Sequence, residues 1–328
     1  MGFYYYKTME RQGPAFCGFC GICYDAIMDS EKNLHTITAT PWSQVESSLT
    51  EIQPIEGGFS DAKRGLVTLS DGQKLFVKIS TKDHNLAWLQ KEIRVYDLLR
   101  KYNFSHVPEL VSTDPDQTMF ALEYLDSKDG WDWTNTWTVD RLEATLLAVD
   151  ALSDIDFAGE DRSKLGGGLA LTRESNGWLP LLNDHELWEK LSAKLPETLR
   201  QTLESRLAEL SHKSDTYNFN EDTLGHHDLR ADNCAWNPTL KLVKLIDWNW
   251  LHYGDKAIDM ASFMTHVHQN GVDVLAHARE RLDKEALQFI AGFWFKAAVT
   301  PIWEGGPANL RDYQFKSALT AWELADSI

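Results

Sequence analysis

Residues 226–233 read HHDLRADN, and a short distance on residues 244–250 read KLIDWNW. In the first stretch His226, Asp228 and Asn233 follow the order H-x-D-x-x-x-x-N; in the second, a β-type run exits at Asp247. Two carboxylates and an amide in this order fit phosphoryl transfer. One carboxylate orients and deprotonates an attacking hydroxyl, while an amide oxygen and a second carboxylate hold Mg2+, a hard ion that prefers oxygen ligands. On this reading Asp228 is the base, and Asn233 and Asp247 are the metal ligands. Taken singly, an aspartate capping a turn or closing a strand explains each of them, so the reading depends on the rest of the chain.

Upstream, EGGFSDAKRGLVTL (56–69) sets a glycine turn between two strand-like segments. Small residues there, Gly58 and Ser60 among them, let backbone N–H groups approach phosphate oxygens. The runs 65–70 and 74–80 are predicted strands joined at Asp71-Gly72, a hairpin signal. Lys78 shares a strand face with Phe76, and Val77 and Ile79 share the other. A lysine projecting from a half-buried strand needs an anionic partner. A helix predicted over 86–100, with Leu86, Leu89, Ile93, Tyr96 and Leu99 at helical spacing, offers Glu92. The pair would hold the ammonium against the α- and β-phosphates. A solvated edge lysine and a surface glutamate is the plain alternative.

A further strand is predicted over 118–124. Beyond it helical patterns dominate, at 138–152, 184–210, 257–269, 283–299 and 308–325, with a β-type insert from Leu224 to Trp250 and a loop over 211–222. The chain thus passes near residue 125 from a small sheet-rich lobe to a larger helical one, and the polar, Gly-terminated run 123–130 suits a hinge.

Composition narrows the function. The chain has 328 residues, 43% hydrophobic and 25% charged, which is globular composition. Lys plus Arg is 32 and Asp plus Glu 49, so the formal charge is 32 − 49 = −17. That charge repels phosphate backbones and anionic lipid, so neither nucleic acid nor a membrane surface is an expected partner. It suits a cationic ligand, or simply an acidic soluble protein. No run of about 18 apolar residues suggests a membrane span, the N-terminus lacks a secretory pattern, and four cysteines make no disulfide scaffold; a cytoplasmic setting is expected. Cys17, Cys20 and Cys23 form C-x-x-C-x-x-C, but tetrahedral zinc wants a fourth ligand and His35 stands at no established spacing. Residues 1–40 read as an N-terminal extension expected to be poorly ordered, with a second plausible start at Met28. Among 13 tryptophans, Trp131, Trp133, Trp137, Trp248 and Trp250 cluster near the proposed cleft, where they either box an ammonium by cation–π attraction or pack the helical lobe. Asp126, Asp129 and Asp132 either attract a polycation or form a solvated acidic loop.

The order Gly57-Gly58-Phe59-Ser60, Lys78, Glu92, His226-x-Asp228-x-x-x-x-Asn233, Ile246-Asp247-Trp248 and Gly254-Asp255-x-x-x-Asp259-Met260-Ala261 resembles the aminoglycoside phosphotransferase and choline kinase group over residues 41–328. The resemblance implies an α+β, bilobal protein-kinase-like fold: a small β-rich N-lobe (41–122, nucleotide-binding) and a larger helical C-lobe (123–328, catalytic and substrate-binding). It implies ATP-dependent, Mg2+-assisted transfer of the γ-phosphoryl group to a hydroxyl of a small molecule, such as an aminoglycoside or another amine-bearing substrate. His226 would then support the catalytic loop, Asp259 would anchor it, and the backbone around Glu123, Tyr124 and Leu125 would meet the adenine edge. The chain departs from the group's pattern at His227, where glycine is usual, and at Asn249, where an acidic residue often stands. A histidine crowding the catalytic loop and a nucleotide-binding pseudokinase without transfer activity are the corresponding alternative expectations. A protein kinase proper is disfavoured, since no A-P-E element follows and IDWNW replaces D-F-G. Substrate identity and oligomeric state are not legible.

Overall fold

The computed structural model describes residues 40–55, 62–80, 82–165, 171–302 and 308–328. The expectations placed on Gly58, Ser60, Cys17, Cys20, Cys23, His35 and the extension up to residue 39 lie outside these residues.

After a short helix, α1 (Trp42–Ser48), five antiparallel strands form one sheet in the order β1-β2-β3-β5-β4. They are β1 (Gln53–Pro54), β2 (Lys63–Thr68), β3 (Lys74–Ile79), β4 (Leu110–Thr113) and β5 (Met119–Glu123). The β2–β3 hairpin closes as its sequence dictates. Gly72 takes φ +88, Leu69 N–H donates to Gln73 O at 2.8 Å, and the Asp71 carboxylate accepts the Gln73 N–H at 2.9 Å. Alternation then sorts the side chains. Val67, Leu75, Val77, Val111 and Ala121 bury on one face with Val45 of α1. Phe120 and Leu122 point to the other, where they meet helix α2 (Asp83–Lys101) through Leu89, Ile93 and Tyr96. The Tyr96 and Phe120 rings lie 5.9 Å apart.

The rest of the chain is helical around two small β-ribbons. The helices are α3 (Val139–Ser153), α4 (Gly159–Lys164), α5 (Trp178–Asn183), α6 (His185–Ser192), α7 (Glu197–Thr216), α8 (Lys256–Gln269), α9 (Val274–His277), α10 (Lys284–Val299) and α11 (Leu310–Ser327). The ribbons pair β6 (Thr223–Gly225) with β9 (His252–Gly254), and β7 (Cys234–Asn237) with β8 (Leu242–Leu245), both antiparallel. The single helix expected over 184–210 is two: Pro196, which has no N–H to give a helix interior, separates α6 from α7. The loop expected over 211–222 begins only at Tyr217, because α7 continues to Thr216 and buries Ser211 and Ser214.

Caps set several helix starts. Asp184, Asp273 and Asp283 accept N–H groups at the first turns of α6, α9 and α10. Helices α5 and α10 cross so closely that only glycine fits at the contact. A Cβ on Gly177 would lie 1.9 Å from the Gly292 carbonyl oxygen, and one on Gly292 would lie 2.4 Å from Trp178 Nε1. Trp178 is fully buried there, and its indole N–H donates to Gln288 O at 2.8 Å. Among the described residues, no helix is long and apolar enough to cross a membrane.

Gly177→Ala is therefore expected to destabilise the fold by about 3 kcal/mol or more, since backbone, not a side-chain tip, would have to move. Gly159→Ala, whose Cβ would meet nothing within 4 Å, should change stability by less than about 1 kcal/mol. Urea unfolding of the two variants checks the contrast.

Candidate active site

The first half of the site is a buried ion cluster. Lys78 on β3 donates to Glu92 Oε2 of α2 at 2.6 Å and to Asp247 Oδ1 at 2.7 Å. Burial opposes the ammonium charge, but the Asp247 and Glu92 carboxylates outweigh it and hold the Lys78 pKa above its usual value. Asp247 sits just past β8 in the left-handed region, φ +65, which aspartate tolerates better than most residues. Burial pushes its pKa up, yet the Lys78 charge and hydrogen bond prevail and bring it down to about 2, so the carboxylate stays ionised.

The second half is the loop 226–233. The Asp259 carboxylate on the first turn of α8 accepts the His226 N–H at 3.1 Å and the His227 N–H at 2.9 Å. Asp255, the N-cap of α8, accepts the N–H groups of Ala257 and Ile258. Burial lowers the His226 pKa to about 4, so its ring is neutral. Nε2–H donates to Ile246 O at 3.0 Å, which leaves Nδ1 to accept the Asp228 N–H at 3.3 Å. The imidazole thus braces the loop, and Asn233 closes it by donating its side-chain NH2 to Asp228 O at 2.8 Å and Asp228 Oδ2 at 3.1 Å. Because the amide nitrogen is occupied in this way, the Asn233 side-chain oxygen is the end left for a cation. The Ile246 N–H donates to Asn233 O at 3.0 Å, so Asn233 and Asp247 flank the same end of the β7–β8 ribbon. Burial raises the Asp228 pKa to about 7 against the opposing pull of Arg230. The Asp247 charge adds to the same rise.

Two arginines that sequence reasoning passed over hold this loop. Arg230 donates from NH1 to Asp228 Oδ1 at 2.5 Å and from Nε to Asp232 Oδ1 at 3.0 Å. Arg141 on α3 is fully buried, and among the described residues it pairs with no carboxylate. It donates to the carbonyls of Thr134 at 2.7 Å, Thr136 at 3.1 Å and Ala231 at 2.9 Å, and to that of Cys234. An arginine on the apolar stripe of a predicted helix was the available signal, since such a residue must find acceptors.

His227 does not crowd the reacting side. Its backbone is left-handed, φ +61, the conformation that favours glycine at this position. Its ring turns away from Asp228 into a slot bounded by glycines: a Cβ on Gly254 would lie 2.4 Å from the ring, and one on Gly225 2.9 Å. Nε2–H donates there to His252 O at 3.2 Å. The Asn249 side-chain oxygen is buried and unpartnered among the described residues.

The segment after β5 is braced. The Glu123 carboxylate pairs with Lys244, and the Leu125 carbonyl accepts the Trp133 indole N–H at 3.0 Å. The tryptophans divide. Trp137 and Trp248 are core residues, the first beneath the Arg141 guanidinium and the second against His226. Trp131 carries the Lys244 ammonium over its ring at 5.9 Å. Asp126 is engaged by Lys74 at 2.7 Å, and Asp132 by Thr134 at 2.8 Å, so that acidic set is largely satisfied within the protein.

An antiparallel sheet with a Lys–Glu pair, joined to a helical part bearing an Asp…Asn loop and a strand-end aspartate, defines a protein-kinase-like fold. Residues 51–293 match the phosphotransferase enzyme family (APH), and the chain belongs to it. Solved structures agree on the fold. The aminoglycoside phosphotransferase of Alicyclobacillus acidocaldarius is 14% identical, with a TM-score of 0.54 over 88% of this chain and 94% of that one. The choline kinase LicA of Streptococcus pneumoniae is 14% identical, with a TM-score of 0.54 over 87% and 98%. The ethanolamine kinase of Plasmodium vivax is 15% identical, with a TM-score of 0.53 over 92% and 87%. No curated protein sequence matches the chain.

The slot around His227 makes a coupled prediction. Gly254→Ala alone should destabilise by about 2–3 kcal/mol, because the methyl collides with the imidazole. In the His227→Gly background the same change should cost about 1–2 kcal/mol less. A double-mutant cycle by denaturant unfolding measures this, and strict additivity would show that the ring does not fill the slot.

Proposed function

We propose that the protein transfers the γ-phosphoryl group of ATP, bound with Mg2+, to a hydroxyl of a small molecule. The observation that carries this reading is the Lys78–Asp247 contact at 2.7 Å, which joins the sheet's cation to the carboxylate that follows the catalytic loop. In this reading Asp228 is the base that orients the acceptor hydroxyl and takes its proton, and Lys78, positioned by Glu92, meets the phosphates. Residues 41–122 form the nucleotide lobe, with Gly58 and Ser60 in its phosphate turn. The backbone at Glu123 and Leu125 receives the adenine edge, and residues 123–328 supply catalysis and acceptor binding.

The donor set suits magnesium. Asn233 and Asp247 offer oxygen only, and among the described residues no three His, Cys, Asp or Glu side chains converge on a cation. Two protein ligands, with phosphates and water completing the shell, is the usual pattern for this ion. When bound with the nucleotide, it neutralises charge on the phosphates. For the acceptor, the similar structures are named for aminoglycosides, choline and ethanolamine, all amines with hydroxyls, and the chain's charge of −17 favours a cation. A cytoplasmic setting fits the use of ATP. A non-transferring nucleotide binder is the weaker reading, because His227, one of its two motives, faces away from Asp228.

Asp228→Asn should lower turnover by about 10^2–10^4-fold while Mg-ATP affinity stays near wild type. Release of nucleoside diphosphate across a panel of hydroxylated amines and sugars, with ATP and GTP, is the measurement, and undiminished turnover removes Asp228 as base. Asp247→Ala should weaken Mg-ATP binding by at least about tenfold in calorimetric titration; equal affinity with and without the carboxylate argues against metal ligation there.

A further inference from the structure

The glycine turn and Lys78 were the phosphate contacts expected from the sequence, but the sheet register adds another group. In the β2–β3 pair, Arg64 stands directly opposite Lys78. Opposed residues of an antiparallel pair project to the same face, with Cβ atoms about 4.5–5.5 Å apart. Lys78 uses that face to reach Glu92 and Asp247, so the half-buried Arg64 lies over the same cluster. One guanidinium nitrogen donates to Ala62 O at 3.2 Å, next to the segment that carries the glycine turn. The Arg64 charge acts on every member of the cluster, disfavouring the charged form of Lys78 and favouring the ionised forms of Glu92 and Asp247. On the opposite face of β2, a Cβ on Gly65 would lie 2.4 Å from Ile52 Cγ1, so the residue just before β1 packs tightly against that side of the strand.

Charge and donor arithmetic show why one lysine is insufficient. Lys78 contributes +1 and its two partners −2, so these three side chains together carry 1 − 2 = −1. An ammonium has three N–H donors, and two are already engaged by carboxylates, which leaves one for a phosphate oxygen. A guanidinium brings five donors in a planar fork suited to bidentate phosphate contact.

We propose that Arg64 is a second cationic anchor for the nucleotide's polyphosphate, placed by strand register opposite Lys78. The assignment rests on the phosphotransferase reading above and adds to it a residue that the sequence did not single out. The Arg64 fork spans two phosphate oxygens where Lys78 reaches one.

The test compares wild-type protein with Arg64→Gln and Arg64→Lys by calorimetric titration with Mg-ATP, Mg-ADP and adenosine at two salt concentrations. Arg64→Gln should raise the Kd for Mg-ATP by about tenfold or more, raise that for Mg-ADP less, and leave adenosine unchanged. Arg64→Lys should recover part of the loss, and the salt dependence of Mg-ATP binding should be shallower in Arg64→Gln. With an active acceptor, KM for ATP should rise while kcat at saturation moves little. An unchanged Mg-ATP Kd in Arg64→Gln overturns the assignment and leaves the phosphotransferase reading standing. Equal weakening of adenosine and Mg-ATP also overturns it, since that marks a distorted sheet. Wild-type protein that binds no nucleotide overturns the assignment and the functional reading together.

Discussion

One ammonium held between two carboxylates organises the site. Lys78 comes from the sheet, Glu92 from the helix packed on it, and Asp247 from the turn after β8, so three separate segments share a single charged centre. Such a buried cluster adds little net stability, because desolvation cancels most of the attraction. Its effect is on geometry. Losing Lys78 would leave two buried carboxylates without their shared cation, at a cost of about 3–5 kcal/mol, which disfavours arrangements in which the three do not meet. The position of α2 relative to the sheet is set by that requirement as well as by the packing of Leu89, Ile93 and Tyr96.

The loop that carries Asp228 is immobilised by different means. Its backbone N–H groups at His226 and His227 are taken by one carboxylate, Asp259, and its carbonyls at Ala231 and Cys234 by one guanidinium, Arg141. Backbone groups here are satisfied by buried side chains because the loop has no sheet or helix ladder to join. A neutral His226 suits this role, since a charged ring would have no acceptor for its second proton. The Asp228 carboxyl is thereby placed on a fixed support, the condition under which positioning contributes to catalysis.

How much of this was readable from the chain follows from sequence separation. Asp228 and Asn233 are five residues apart, and their spacing announces the loop that brings them together. The hairpin at Asp71-Gly72 and the stripe of α2 are equally local. The contact between Lys78 and Asp247 spans 169 residues, and the sequence reading, which paired Lys78 with Glu92 and gave Asp247 to the metal, did not anticipate it. Arg141 reaches Ala231 across 90 residues, and nothing around it in the sequence names its acceptors. Arg64 was missed for a subtler reason: which residue opposes Lys78 depends on hairpin register, and a slip of one residue would turn it to the other face. The error over 184–210 was avoidable, since Pro196 marks the break that periodicity bridged.

The imidazole lodged between Gly225 and Gly254 also constrains how this chain can change over generations. With histidine at 227, a β-carbon at either glycine position collides with the ring, so those codons tolerate almost no substitution. With glycine at 227 the restriction at 254 would lift, but a void would open beneath the loop. Positions 227 and 254 are therefore epistatic: a side chain at 254 becomes admissible only after the ring at 227 has given way to something smaller, whereas at 225 the Asp259 carboxylate, 2.8 Å from a Cβ, keeps the restriction in place.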